Sequence, residues 1–349
     1  MAYIEVLESH NLTVQQWEED TTDEYMRALF FFHLTGDTDD SPIQLKEQLT
    51  GRKGSSITFG MVGNLEGGHV EGNAQGMGNA GTVKFFDDSI TVDNVRDLAE
   101  IRDLPMTKQR VSFNVLKKAR SALTRAAALR MEEKLIFRLT DTSIGRVQGR
   151  YQYGTRAWNA THATALGTLD NTADQLTCRL ISATKRKATV ALNASAPLRP
   201  MKVKVGERYE EWFTLVAHTW PIRDLVENDA QWKNPQLLLP VSANRDSPLF
   251  TGNSFKGNHD GVLVYEYPRI PLLASTIQLA HNLLMGAQAA GIAWAQRDKW
   301  GEEFTDLGHN VTYEIHKIEG IKKLSYNRGG AVAAEDNGLI NFFTAAVSD

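Results

Sequence analysis

Cysteine is almost missing from this chain: Cys178 is the only one in 349 residues. An intrachain disulfide and a cysteine-based zinc site are therefore excluded. A surplus of one charge is missing too. Lys and Arg number 38 against 42 Asp and Glu, a net charge of −4 with a pI near 6.2, which excludes a histone-like DNA condenser. No long apolar run is present. The most apolar stretch, Leu283 to Ala295, is about 13 residues and contains Gln288, whereas a membrane span needs roughly 20. Met1 to Asp20 carries no Lys or Arg ahead of a hydrophobic core, so no signal peptide is expected. These absences predict a soluble intracellular protein without a membrane partner. Hydrophobic residues at 42% and charged residues at 23% exclude a disordered, collagen-like or mucin-like chain. The length suits roughly two domains.

Catalytic motifs are equally scarce. There is no G-x-S-x-G elbow and no H-E-x-x-H pair. None of the nine histidines stands three or four residues from another, so each reads as a surface or hydrogen-bonded core histidine. Gly76 to Gly81 matches G-x-G-x-x-G, but a dinucleotide site needs a strand before it and a helix after it. Here a Gly-rich loop precedes and a strand follows, so the better reading is a hairpin tip. Gly252 to Gly257 has the two-glycine spacing of a phosphate loop, but Asn258-His259 replaces the required Lys-Ser/Thr, leaving a surface turn. Asp37, Asp39 and Asp40 lack the Gly and distal Glu of a calcium loop and read as a solvated acidic turn. No catalytic residue, metal or cofactor is expected.

What the chain does contain is a series of extensions. The run to Asp40 sets ten acidic residues, among them Glu5, Glu8, Glu18, Glu19, Asp20, Asp23 and Glu24, against Arg27 alone. Inside it lies an apolar patch, Tyr25 to Phe32. Phe30, Phe31 and Phe32 need a surface to dock on, which predicts an arm ordered by contact. Ser56 to Val62 alternates, with Ile57, Phe59 and Met61 on one face; Val83 to Val92, with Phe85 and Phe86, is its partner strand. The connection Gly63 to Thr82 holds seven glycines, including Gly68, Gly72 and Gly76. Hairpin loops in compact domains run roughly 2–5 residues, so a projecting hairpin that finds its contacts elsewhere is expected.

A helix is expected from about Thr107 to Leu139, with Thr107 as N-cap and a stripe at Val111, Val115, Ala119, Ala122, Ala126, Leu129 and Ile136 broken by Glu133. At 1.5 Å per residue it would be a rod of roughly 50 Å. It is basic, with Lys117, Arg120, Arg125 and Arg130 among its charges; its polar face is either simply solvated or turned toward phosphates or the acidic arm. Asp141 to Thr172 reads as loop and Ala173 to Leu192 as a helix with Leu176, Leu180 and Ala183 inward. Strands are expected at Trp212–His218, Gly261–Tyr267, Val311–Ile318 and Gly338–Val347, with a short helix capped by Thr219 after the first. The class is α+β.

In order, these segments resemble the Hong Kong 97-like (HK97-like) major capsid proteins of tailed bacteriophages, and more closely the subfamily typified by the coliphage N-four capsid protein. The resemblance is carried by Ser41-Pro42-Ile43-Gln44, Ser56 to Gly60, Phe86 to Asp93 and Gln109 to Phe113. Downstream it continues in Pro248 to Gly252, Gly261 to Glu266, Leu284 to Ala290 and Gly320 to Lys323. It spans roughly residues 40–345; Gly145 to Leu169 finds no place in it.

The resemblance implies a non-enzymatic shell protein that assembles as hexamers and pentamers into an icosahedral head. Its implied partners are further copies of itself, a portal protein, a separate scaffolding protein, double-stranded DNA packaged without sequence specificity, and a decoration protein. The implied location is the virion, after assembly in the host bacterial cytoplasm. The division it implies is an N-terminal arm at 1–50, an extended β-hairpin loop at 51–93, and a peripheral domain at 94–172 with the spine helix at about 107–139. A mostly axial domain at 173–300 follows, with strands returning to the peripheral domain at 301–349. Phe30, Phe31, Phe32, Ile57, Phe59, Gly68, Gly72, Gly76, Phe85 and Phe86 are the expected inter-subunit contacts. Lys117, Arg120, Arg125 and Arg130 are expected to face the lumen or the acidic arm. Without a Lys in Gly67 to Gly81, covalent Lys–Asn cross-linking through the tip is not expected. Two other readings stay open: another head component, decoration or internal, and a nucleotide-binding enzyme using Gly76 to Gly81.

Overall fold

The computed structural model describes residues 29–49, 53–66, 68–72, 77–78, 81–112, 114–141, 150–157, 165–190, 197–205, 208–232, 254–326 and 334–346. From the N-terminal side the strands are β1 (Thr35–Gly36), β2 (Ile43–Lys46), β3 (Ser56–Glu66), β4 (Thr82–Thr91) and β5 (Asp93–Ile101). Helices α1 (Leu104–Arg110) and α2 (Val115–Thr140) follow, then β6 (Tyr151–Tyr153) and α3 (Cys178–Thr189). Next come β7 (Met201–Val205), β8 (Arg208–Ala217), α4 (Thr219–Asn228), β9 (Phe255–His259), β10 (Val262–Glu266), β11 (Leu272–Ala274) and β12 (Gln278–Met285). The chain closes with β13 (Ala290–Thr305), β14 (Asn310–Lys323), β15 (Ser325–Tyr326), β16 (Glu335–Asp336) and β17 (Leu339–Ala345).

Two sheets organise these elements. The first has the order β1-β2-β13-β14-β5 and is built on the long antiparallel pair β13–β14. The alternation in β14 makes this possible: Val311, Tyr313 and Ile315 point inward while Thr312, Glu314 and His316 stay half-covered on the other face. β2 joins it in parallel, pairing Ile43 with Ala290. The second sheet runs β6-β17-β12-β8-β10-β9, with β11 on β12 and β7 on β8. It is covered on both faces, so its strands are apolar runs rather than alternating ones: β17 and nearly all of β12 are buried. Helices α3 and α4 cover one face through Leu180, Ile181, Ile222 and Leu225. On the other side α2 buries Leu123, Ala127, Met131, Leu135 and Leu139 in one core with Val311 and Tyr313 of the first sheet and Val216, Leu283 and Leu339 of the second.

Several expectations are corrected. The helix expected over 107–139 is two helices. Val111 is extended, and α2 starts at the N-cap Asn114, whose side chain accepts from the Lys117 amide at 3.1 Å. Asn is a stronger cap than Thr, and α2 with 26 residues is about 39 Å long. The buried stripe is offset from the one expected. Ala122 is exposed and Glu133 lies on the surface, while the larger Leu123, Met131 and Leu135 point inward. An alanine-rich sequence offers several stripes, and the one with most apolar area is the one buried. The expected loop 141–172 contains β6. The turn expected at 252–257 is strand β9 over its described part. Residues 290–300 pair in the sheet of β14, whereas β17 and β6 lie in the other sheet.

The second sheet buries a polar row. His281 lies in it with Nε2 at 2.7 Å from Asn341 Oδ1, and Asn282 donates to Thr344 Oγ1 at 2.8 Å. Burial lowers the His281 pKa to about 4, against the opposing effect of the Asn341 bond. Below about pH 6.5 the unfolded chain takes up a proton that the folded one refuses until about pH 4. His281 therefore costs up to about 3 kcal/mol of stability across that fall in pH. Asp336, pushed up to about 6 mainly by burial, works in the opposite sense: the folded form keeps a proton that the unfolded form has already lost, so its contribution to stability grows as the pH falls. His281→Gln is expected to make the loss of stability between pH 6.5 and 4 smaller than in the wild type, as read from denaturant midpoints.

Candidate assembly surfaces

The β3–β4 hairpin divides into a root and a tip. Its root lies across the first sheet, where Ile57, Phe59, Met61 and Ile90 are buried with Ala293, Leu324 and Tyr326. Two glycines allow the close crossing. A β-carbon on Gly320 would stand 2.3 Å from the Thr91 carbonyl oxygen, and one on Gly291 would stand 3.0 Å from the Phe59 ring. Polar ties reinforce it. Asp88 accepts from Lys322 Nζ and from the Ser325 amide at 3.1 Å. Lys46 donates to the Thr58 carbonyl at 3.2 Å and stands 4.7 Å above the Phe59 ring. Gln288, held at φ +53°, donates to the carbonyl oxygen of Gly60 and to Gln44 Oε1, both at 3.1 Å. Ile57 and Phe59, expected between subunits, are therefore covered by their own chain. Phe86 is half-buried, its ring 5.0 Å from that of Tyr326.

Beyond Val62 the pairing changes. Val62 faces Phe85, but Leu65 faces Val83, so β3 carries an extra residue and a bulge at 63–64. On the face opposite the root's core, Val62, Val83 and Phe85 are exposed; Phe85 is 75% exposed and Met77 87%. Gly68 and Gly72 take φ of +85° and +66°, which side chains with a β-carbon avoid. Gly76 lies outside the described residues. Covering Phe85 alone would contribute about 1.5–3 kcal/mol. A second apolar point caps the β13–β14 turn, where Leu307 is wholly exposed with φ +53° next to the exposed Phe304. Neither Val62 nor Leu307 was singled out by the sequence. The strand alternation places Val62 opposite Met61; Leu307 has no such signal.

The arm is docked at its described end. Phe31 is 2% exposed in the main core with Leu29, Leu34 and Met131, so it too is satisfied inside the chain. Phe30 packs half-buried on Tyr267, centroids 4.6 Å apart, and its amide donates to the buried carboxylate of Glu132, which also accepts from the Tyr267 hydroxyl at 2.8 Å. Phe32 is exposed.

Two of the four basic residues expected to face the lumen or the acidic arm pair with acids of their own sheet, Arg120 half-buried and Arg130 still exposed. Arg120 donates to Glu302 at 2.8 Å and lies 4.9 Å from the Tyr313 ring. Arg130 pairs with Asp97, and nearby Lys134 reaches Glu319 at 3.4 Å. These contacts tie α2 to its own sheet. Lys117 and Arg125 are exposed, as is Lys118, and none has an ion-pair partner among the described residues.

Reactive chemistry has little foothold here. Cys178 is buried, and burial together with the Asp229 carboxylate pushes its thiol up to about 12. Asp39 accepts from Gln44 at 2.6 Å and Asp40 from Arg199 at 3.0 Å, so both brace the arm. Among the described residues no three His, Cys, Asp or Glu side chains gather to hold a metal. No described helix is long and apolar enough to cross a membrane.

A firmly seated hairpin with exposed apolar residues around its bulge, on a body of two sheets joined by one long helix, defines a structural subunit that leaves apolar surface uncovered. The chain belongs to the phage capsid protein family, whose model matches residues 6–348, and it is a major capsid protein of a phage head. Its fold is similar to the capsid of Ralstonia phage GP4, at 21% identity over 92% of each chain with a TM-score of 0.74. It is also similar to the cyanophage Pam1 capsid, at 22% identity over 91% of this chain and 92% of that one with a TM-score of 0.71. The capsid of Helicobacter pylori bacteriophage KHP30 follows at 14% identity over 90% of both chains and 0.67. No curated protein matches the chain.

Root and tip are expected to answer differently to truncation. Phe59→Ala should cost about 3–5 kcal/mol of subunit stability, whereas Phe85→Ala should change it by less than about 0.5 kcal/mol while lowering particle yield. Urea unfolding and sedimentation of the same preparations measure both. Gly320→Ala should lower subunit stability by about 1–3 kcal/mol in the same unfolding assay, because the added methyl meets the Thr91 carbonyl.

Proposed function

We propose that the chain assembles as hexamers and pentamers into the icosahedral head of a tailed phage, in the subfamily typified by the coliphage N-four capsid protein. Assembly takes place in the host bacterial cytoplasm, around a separate scaffolding protein and on a portal. The head then receives double-stranded DNA without sequence specificity, and its outer face offers a place for a decoration protein. The second sheet with α3 and α4 corresponds to the axial domain at the capsomer centre, and the first sheet with α2 to the peripheral domain. The role is structural and non-enzymatic.

The observation that carries this reading is the uncovered apolar face of the hairpin around its bulge, Val62 and Phe85 before it and Val83 beyond, on a root packed against the first sheet by its opposite face. A single subunit leaves this area in water, while a neighbour in a shell covers it. Small contacts repeated around a closed particle add up without any one of them being strong.

Purified protein, with or without scaffold, is expected to sediment as capsomers, tubes or shells visible by electron microscopy. Removing residues 67–81 should leave the subunit's thermal unfolding nearly unchanged and abolish shells. Normal particles from that deletion would remove the tip from the assembly mechanism.

A further inference from the structure

We propose that in the unassembled subunit the acidic segment Glu5–Glu24 covers the basic outer face of α2 of its own chain. This goes beyond the shell-forming role and does not depend on it. The outer face is what remains after the sheet has taken its share of the helix's positive charge. Arg120, Arg130 and Lys134 are spent on Glu302, Asp97 and Glu319. Lys118 and Arg125 are two turns apart on one stripe with Lys117 beside them, all three exposed and without an ion-pair partner among the described residues. The preceding helix adds the exposed Lys108 and Arg110.

The occupant is named by charge and by where the chain leads. Residues 1–24 contain seven acidic residues and no Lys or Arg. The described chain begins on this same helix, with the Phe30 amide on Glu132. From Glu132 to Arg125 is about 10 Å along the helix, and to Lys117 about 22 Å. The six residues from Phe30 back to Glu24 span at most about 20 Å when extended. The acidic run therefore starts within reach of the basic stripe, and a segment tethered this closely is present at an effective concentration on the order of millimolar, well above that of a second copy in dilute solution. Pairing exposed charges in water is weak pair by pair and fades with salt, so the cover is a reversible screen.

The test uses the full chain, unassembled, as an equal mixture of isotopically light and heavy subunits treated with a zero-length carbodiimide cross-linker. Links are expected from the acidic residues of 5–24 to Lys117 and Lys118, in same-isotope pairs, and weakened several-fold at about 0.5 M sodium chloride. Absence of these links, or their appearance in mixed-isotope pairs at the statistical proportion, overturns the proposal; the second outcome would give the face to a neighbouring copy. Arg125→Gln offers the reagent neither a carboxylate nor an amine, so a drop at Lys117 and Lys118 in that variant supports charge pairing, and unchanged links overturn it. Removing residues 1–24 is further expected to raise the subunit's affinity for duplex DNA about tenfold at low salt. Unchanged DNA affinity in a truncated chain with an unaltered melting curve also overturns the proposal.

Discussion

The close crossing of the hairpin root over the first sheet, at Gly291 and Gly320, sets the geometry on which the outward half of the molecule depends. With no side chain at either position, the backbone of β4 comes down onto β14 and the Phe59 ring onto β13. That contact brings together an apolar cluster, the Asp88 carboxylate with its Lys322 and Ser325 donors, and the Gln288 amide under Gly60. The root is thereby part of the body, and a lever held this firmly gives its far end a defined direction. The bulge at 63–64 marks where that control stops, because the extra residue interrupts the ladder and bends the strand.

Much of the fold could be read from the residues, and the reason is periodicity. Ile57, Phe59 and Met61 alternate, and the structure buries all three; β8, β10, β14 and β17 fall where alternating or continuously apolar runs stand. The capsid family, too, could be recognised from ordered short matches. What could not be read is where the extensions find their cover. Phe31, Ile57 and Phe59 looked in need of a neighbour because a one-dimensional pattern says that a residue wants burial without naming the partner. The partners, Met131 and Ala293 among them, lie some 100 to 240 residues away along the chain. The glycines at 291 and 320 hold that information only once the crossing is known. The start of α2 reflects a local break that the apolar stripe does not register: Val111 is extended and Asn114 caps a new helix, while Thr107 lies inside α1.

The charges of α2 follow the same logic. Asp97 and Glu319 lie almost wholly buried beneath the helix. A buried carboxylate left alone is costly, so each needs a cation close by: α2 supplies Arg130 to Asp97, while Glu319 has the buried Lys317 of its own strand at 3.1 Å as well as Lys134 of α2 at 3.4 Å. Arg120 adds a planar guanidinium over Tyr313, covering an aromatic face as well as meeting Glu302. Three of the helix's seven basic residues thus answer acids on the strands below it.

The order of strands in space has a consequence for synthesis. β17 is the last described strand, yet it stands between β6 and β12, one strand in from the edge of the second sheet. Likewise β2, made early, pairs with β13 some 250 residues later. The first sheet cannot close before β13 and β14 are made, nor the second before β17. Ordering distant segments is slow compared with forming a local helix. A chain in the course of synthesis therefore holds both sheets open until these late strands arrive, with β2 waiting for β13 and β6 for β17.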